Sequence, residues 1–168
     1  MKTKVIAVFA GANGSGKSTI VKKMLSHNKC PSYFICPDNL VDAAHKDDVT
    51  MYIAAMQKAE QLREAALLDG KSFSFETVLS TYEKVDFIRR AKQKGYAIQV
   101  YYVLTENVGV NIARVEARVM QGGHGVPIEK IKTRYARTMN LMPEVLSMAN
   151  SAVIAFDNRK TIHFYIHT

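Results

Sequence analysis

The residues best equipped for chemistry stand near the N-terminus. Gly11-Ala12-Asn13-Gly14-Ser15-Gly16-Lys17-Ser18-Thr19 contains the pattern G-x-x-x-x-G-K-S, running from Gly11 to Ser18. Glycine tolerates positive φ and lets the backbone come close to a ligand. Successive N–H groups can then form a concave anion nest at a helix N-terminus. In that arrangement Lys17 reaches the outer phosphates of a nucleotide and the Ser18 hydroxyl binds Mg2+. The same string would also serve as an ordinary glycine-rich turn. Its context, an apolar run before it and a helix-forming segment after it, favours the phosphate loop.

Two carboxylates follow short strand-like runs: Asp38 after Pro37, and Glu76 after Ser72–Phe75. Ligands of open α/β sheets bind beyond the carboxyl ends of the strands. Transfer of a phosphoryl group to a hydroxyl needs a carboxylate to accept the proton, and often another to hold Mg2+ through water. Asp38 reads equally as the N-cap of a short helix, and Glu76 equally as a solvated strand-end charge. Cations gather later, at Arg114, Arg118, Lys130, Lys132, Arg134 and Arg137, against Glu116 and Glu129. They bracket Gly122-Gly123-His124-Gly125. Two cationic helices joined by a glycine hinge describe a lid, about residues 114–137, that closes on phosphates and excludes water. Two solvated helix faces are the plain alternative.

The other chemically capable residues point to less. His124 suits a hinge or hydrogen-bonding role. His163 and His167 have an H-x3-H spacing, but in a strand that spans about 13 Å, too far for one zinc ion. Cys30 and Cys36 match no common metal or redox spacing and read as free thiols.

The elements that must position these groups alternate. Val5–Ala10 is a continuous apolar run, as in a central parallel strand covered on both faces. A helix is expected over Lys17–Ser26, a strand over Tyr33–Cys36, and a long helix over Met51–Leu68 with Ala55, Ala59, Leu62 and Ala66 inward. The strand Ser72–Phe75 precedes a helix over Tyr82–Lys94, with Val85, Ile88 and Ala91 inward. Tyr96–Leu104 is a strand. Glu106–Gln121 is a helix with Val108, Ile112, Val115 and Val119 on one face. Pro127 opens a helix that ends or kinks near Pro143. Ser151–Phe156 is a strand, and Thr161–Ile166 an edge strand after the Asp157-Asn158-Arg159 turn. This alternation predicts an α/β fold with a mainly parallel five-stranded sheet flanked by helices.

Length and composition bound the rest. The chain has 168 residues, which predicts a single domain over 1–168. Hydrophobic residues at 48% and charged residues at 23% exclude disorder and a disulfide scaffold. The six-residue run Val5–Ala10 is shorter than the roughly 7–15 residues of a secretory core, so a cytoplasmic protein with no membrane partner is expected. The formal charge of +8 attracts phosphorylated small molecules or nucleic acid. No RRM-type or helix-turn-helix signature is present, which makes nucleic acid the lesser expectation. No N-K-x-D motif supports a GTPase, and the chain is short for a motor ATPase. What remains is a small kinase that passes the γ-phosphate of ATP, with Mg2+, to a hydroxyl. A non-catalytic nucleotide switch and a polynucleotide 5′-hydroxyl kinase stay open as rivals.

Several segments together resemble one family. In order they are Gly11–Thr19, Pro37-Asp38, Phe75-Glu76-Thr77-Val78-Leu79-Ser80, Gly122-Gly123-His124-Gly125-Val126-Pro127, and Arg134-Tyr135-Ala136-Arg137 followed by Asn140-Leu141. The combination resembles the zeta-toxin-like P-loop kinases. The resemblance implies a P-loop NTPase core like that of nucleoside monophosphate kinases, and as acceptor a UDP-activated amino sugar phosphorylated at its 3′-hydroxyl. A kinase of a nucleoside, an antibiotic or another small hydroxyl compound is the alternative. It implies that Lys17 is the phosphate-loop lysine, Ser18 the Mg2+ hydroxyl and Asp38 the base. Glu76 would help hold substrate or metal, Thr77 would bind substrate, and Arg118 and Arg134 would stabilise the transferring phosphoryl group, with Arg137 beside them. A separate antitoxin chain is the protein partner it implies. Asp157 and Asn158 are candidates for adenine by position. The family often has Asn-Pro-Asp-Glu where this chain has Cys36-Pro37-Asp38-Asn39, and Thr-Thr-Leu where it has Thr77-Val78-Leu79.

Overall fold

The computed structural model describes residues 3–41, 48–123, 125–157 and 162–167. Strand β1, Val5–Ala10, explains its own composition. Alternate residues of a strand face opposite sides, and here both sides are covered: Ile6, Val8 and Ala10 pack into one cluster, Ala7 and Phe9 into another. β1 pairs in parallel with β3, Phe73–Thr77, and with β4, Ala97–Thr105. β2, Phe34–Ile35, lies outside β3, and β5, Ser151–Asp157, lies outside β4, both also parallel. β6, Ile162–His167, closes the edge antiparallel to β5. The order is β2-β3-β1-β4-β5-β6, a five-stranded parallel sheet with one antiparallel edge strand.

Parallel neighbours require crossover connections, and helices supply them. Helix α1, Lys17–Ser26, lays Ile20 and Val21 on the Phe9 side of the sheet, where Phe9 stacks on Tyr101 with centroids 4.7 Å apart. The opposite side takes α2, Val49–Leu68, through Ala59, Ala66 and Leu67. The same side takes α3, Tyr82–Gln93, through Val85, Ile88 and Ala91, as the periodicity predicts. Helix α4, Val108–Met120, leads to α5, Ile128–Met148, whose Leu141 and Val145 join that core. The buried Tyr102 hydroxyl donates to the Thr138 carbonyl at 2.8 Å and ties α5 to the sheet.

Several boundaries differ from expectation for identifiable reasons. α5 continues through Pro143 rather than ending there. Proline forfeits one helical hydrogen bond, but Leu141 and Val145 on either side are both buried, and that packing carries the helix past it. β3 extends to Thr77, so Glu76 belongs to the strand and pairs with Phe9 of β1. Asp38 does not cap a helix: it sits inside a 3-10 turn, Pro37–Asn39, whose N-cap is Cys36. The cap of α2 is Asp48, which accepts from the N–H groups of Thr50 and Met51. On α4 the fully packed residues are Asn111 and Val115, whereas Val119 is 46% exposed. His163 and His167 both fall in β6. Among the described residues, no helix is long and apolar enough to cross a membrane.

Candidate active site

The loop after β1 needs its glycines. Gly11, Gly14 and Gly16 adopt φ of 147°, 73° and 97°. A Cβ on Gly11 would lie 2.5 Å from the Val103 carbonyl oxygen of β4, and one on Gly14 would lie 2.5 Å from the Asn111 carbonyl oxygen of α4. The loop is therefore pressed between two elements at a separation only glycine permits. It turns on a Ser15 N–H to Ala12 carbonyl hydrogen bond of 3.1 Å and enters α1 at Gly16. Gly16 offers no side-chain cap to α1. The first N–H groups of that helix are thus available to an anion, with the helix dipole behind them.

Lys17, Ser18 and Glu76 meet at the mouth of this loop. The Lys17 side chain is 7% exposed, and its ammonium donates to the carbonyls of Gly11 and Ala12 at 2.8 and 3.0 Å and lies 3.9 Å from Glu76 Oε1. The Ser18 hydroxyl donates to Glu76 Oε2 at 3.4 Å. Burial is the largest influence on both charges. It lowers the pKa of Lys17 against the pull of Glu76, and raises that of Glu76 against the pull of Lys17. Arg118 stands close enough to add to the lowering of Lys17 and to favour ionised Glu76. Ser18 and Glu76 present hard oxygen donors side by side, the donor type that Mg2+ selects. The Ser15 hydroxyl, 1% exposed, finds no hydrogen-bond partner among the described residues.

Asp38 is exposed beside this cluster, and its charge is felt by Lys17, Glu76 and Cys36. The Tyr52 hydroxyl of α2 hydrogen-bonds to Asp38, and burial together with that carboxylate pushes its pKa up to about 12. Cys36 is buried near Asp38, its thiol pushed up to about 11, chiefly by burial. Thr77 turns its hydroxyl to the local backbone, accepting from the Leu79 N–H at 2.9 Å. Thr19 is exposed on the first turn of α1.

The cationic helices bring three arginines to the loop. Arg114 Nη1 donates to the Ser15 carbonyl, and Arg134 Nη1 to Asn13 Oδ1, each at 3.4 Å. Arg118 reaches the Lys17–Glu76 pair through its field. No contact among the described residues brings the exposed Arg137 to the site. The glycines after α4 form a Schellman cap: Gly122 N–H bonds the Val119 carbonyl and Gly123 N–H the Arg118 carbonyl, both at 2.9 Å. His124, Asn158 and Arg159 lie outside the described residues, and Asp157 ends β5.

Sequence reasoning missed Tyr52, Thr105 and Asn111. Asn111 is fully buried, and its Nδ2 donates to the Asn13 carbonyl at 2.7 Å while Thr105 Oγ1 bonds its Oδ1. A polar residue inside the apolar stripe of α4 was the available signal.

Comparison with known proteins bears on the fold and the family. The profile of the zeta toxin family matches residues 1–167. An uncharacterized protein of Haemophilus influenzae is 31% identical over 137 residues, covering 80% of this chain and 94% of the relative. Among solved structures, one from the PezAT chromosomal toxin-antitoxin system of Streptococcus pneumoniae aligns with a TM-score of 0.61 and 18% identity, covering 99% of this chain and 72% of that one. The AvrRxo1-ORF1:-ORF2 structure with ATP aligns with a TM-score of 0.71 and 14% identity, covering 98% of this chain and 61% of that one. The last two likenesses establish the shared fold, a five-stranded parallel sheet flanked by helices as in P-loop kinases. The match along nearly the whole sequence establishes more: this chain belongs to the zeta toxin family.

Proposed function

We propose that the protein is an ATP-dependent kinase that transfers the γ-phosphate to a hydroxyl of a small molecule, foremost a UDP-activated amino sugar. The observation that carries this reading is the convergence of Lys17, Ser18, Glu76 and the Asp38 field at the mouth of one glycine-built anion nest. ATP as donor is further supported by the ATP complex of the similarly folded AvrRxo1 protein. The amino-sugar acceptor rests on the family resemblance.

In this reading the backbone N–H groups of the loop and α1 bind the triphosphate, and Lys17 leaves its two carbonyls to contact the outer phosphates. Ser18, with Glu76 acting through water, would hold Mg2+, which neutralises phosphate charge and orients the γ-phosphoryl group. The acceptor hydroxyl lies against Asp38, whose carboxylate takes its proton. The acceptor oxygen bonds to the γ-phosphorus as the bond to the bridging oxygen breaks, and ADP departs. Arg118 and Arg134 stabilise the spread charge of the transferring group. The segment about 114–137 acts as a lid that brings them in and excludes water. Tyr52, by donating to Asp38, orients the base. A separate antitoxin chain is the protein partner this family reading suggests.

The test is mass spectrometry of products after incubation with ATP, Mg2+ and a panel of nucleotide sugars, beside Asp38→Asn and Lys17→Ala. A phosphorylated UDP-N-acetylhexosamine made by the native protein and by neither variant supports the reading. Full turnover by Asp38→Asn sinks the base assignment. ATP binding without any sugar product sinks the amino-sugar acceptor and directs the panel to nucleosides, antibiotics and polynucleotide 5′-ends.

A further inference from the structure

We propose that Asn111 is a positioning residue for the phosphate loop, acting through the Asn13–Gly14 peptide; this rests on the nucleotide reading above and deepens it. Asn111 lies on α4 at a position facing the protein interior, is 0% exposed, and bonds groups at both ends of its amide. The Asn13 carbonyl can only accept, so the group facing it at 2.7 Å must be Nδ2. Oδ1 is thereby turned to Thr105, whose hydroxyl donates to it from the last residue of β4. Thr105 is itself 3% exposed. A buried amide is costly unless its bonds are made, so the pair holds one orientation.

The consequence follows from the planar trans peptide. Its C=O and N–H point in opposite directions. Anchoring the Asn13 carbonyl on Asn111 therefore aims the Gly14 N–H away from α4. Gly14 is held from the same side: a Cβ there would meet the Asn111 carbonyl oxygen at 2.5 Å and Val115 Cγ2 at 3.2 Å. One helical residue thus fixes both the position and the rotation of the peptide that opens the anion nest. Arg114, one turn further along α4, takes the Ser15 carbonyl in the same sense. Without this anchor the peptide is free to rotate, and its N–H is lost to the phosphates for part of the time.

The experiment is calorimetric titration of ATP and of inorganic tripolyphosphate into the native protein, Asn111→Leu, Asn111→Asp and Thr105→Val, with thermal unfolding recorded alongside. Tripolyphosphate reads the loop without the base. Asn111→Leu should weaken both ligands about tenfold, as expected for one lost, well-oriented hydrogen bond with its downstream N–H. Asn111→Asp keeps the acceptor for Thr105 but loses the donor to Asn13, and should weaken both at least as much. Thr105→Val keeps the loop and Asn111, frees Oδ1 and gives up the 3.4 Å contact with the Asn107 carbonyl; it should weaken both about threefold. A merely structural role would lower the unfolding temperature and leave tripolyphosphate affinity within about twofold of native, which overturns the proposal. If Asn111→Leu fails to fold, Thr105→Val decides by the same criterion. If the native protein binds neither ligand, the nucleotide reading itself falls and this inference with it; native binding with unchanged variants removes the inference alone.

Discussion

Cys36 and Glu76 show how the site sets chemistry residue by residue. The Cys36 thiol is pushed up to about 11 by burial and by its acidic neighbours. At pH 8 only about one thiol in a thousand is then ionised, so native Cys36 should alkylate about a hundredfold more slowly than in urea. Peptide mapping after iodoacetamide labelling checks this; equal rates would place the thiol in solvent. Glu76 differs because burial outweighs its pairing with Lys17 and raises its pKa. The folded state then holds the proton more tightly than the unfolded chain does. That stabilising contribution is complete below the ordinary carboxylate range and is lost as pH rises through the raised value. Glu76→Gln lacks this dependence. The stability of the native protein relative to Glu76→Gln should therefore fall as pH rises from about 4, read by urea unfolding. A relative stability that climbs instead would mean that the Lys17 pairing outweighs burial.

Elements place these residues through their ends. Asp48 caps α2 by accepting from two N–H groups, and α2 carries Tyr52 to Asp38. Asp48→Ala should cost about 1 kcal/mol, seen as a lower urea midpoint with unchanged slope. The end of α4 is as specific. The Schellman cap brings Gly123 against its own helix, where a Cβ would lie 2.6 Å from Arg118 Cγ and 3.0 Å from the Arg118 carbonyl oxygen. Gly123→Ala should displace the Arg118 stem and lower phosphotransfer about tenfold, while ATP affinity changes less. A kinetic comparison of kcat with the ATP dissociation constant checks it; unchanged kcat would remove Arg118 from the transfer step. Pro143 illustrates the limit of a local rule. It should end or kink a helix, yet α5 runs to Met148 because Leu141 and Val145 on either side are buried.

Across the whole molecule, the sheet gathers at one end groups distant in sequence, and ligand binding should register as stability of the entire fold. With ATP–Mg2+ at a hundredfold its dissociation constant, stabilisation is about 2.7 kcal/mol, or a rise of about 5–10 °C in the unfolding midpoint. Lys17→Ala should lose most of that rise; a full rise in the variant would place ATP elsewhere. Much of this arrangement was readable in advance. The Gly11–Ser18 spacing, the run Val5–Ala10 and the inward set Val85, Ile88 and Ala91 are local patterns, and backbone sterics or helical period decide them without help from distant residues. Tertiary structure decided what depends on a neighbour far along the chain. Glu76 meets Ser18 because β3 pairs with β1. Arg134 and Asn111 converge on Asn13 because α4 and α5 fold back over the loop. That Val119 is exposed, although it shares the apolar face of Val115, is likewise set by what α4 packs against, which no spacing within α4 contains.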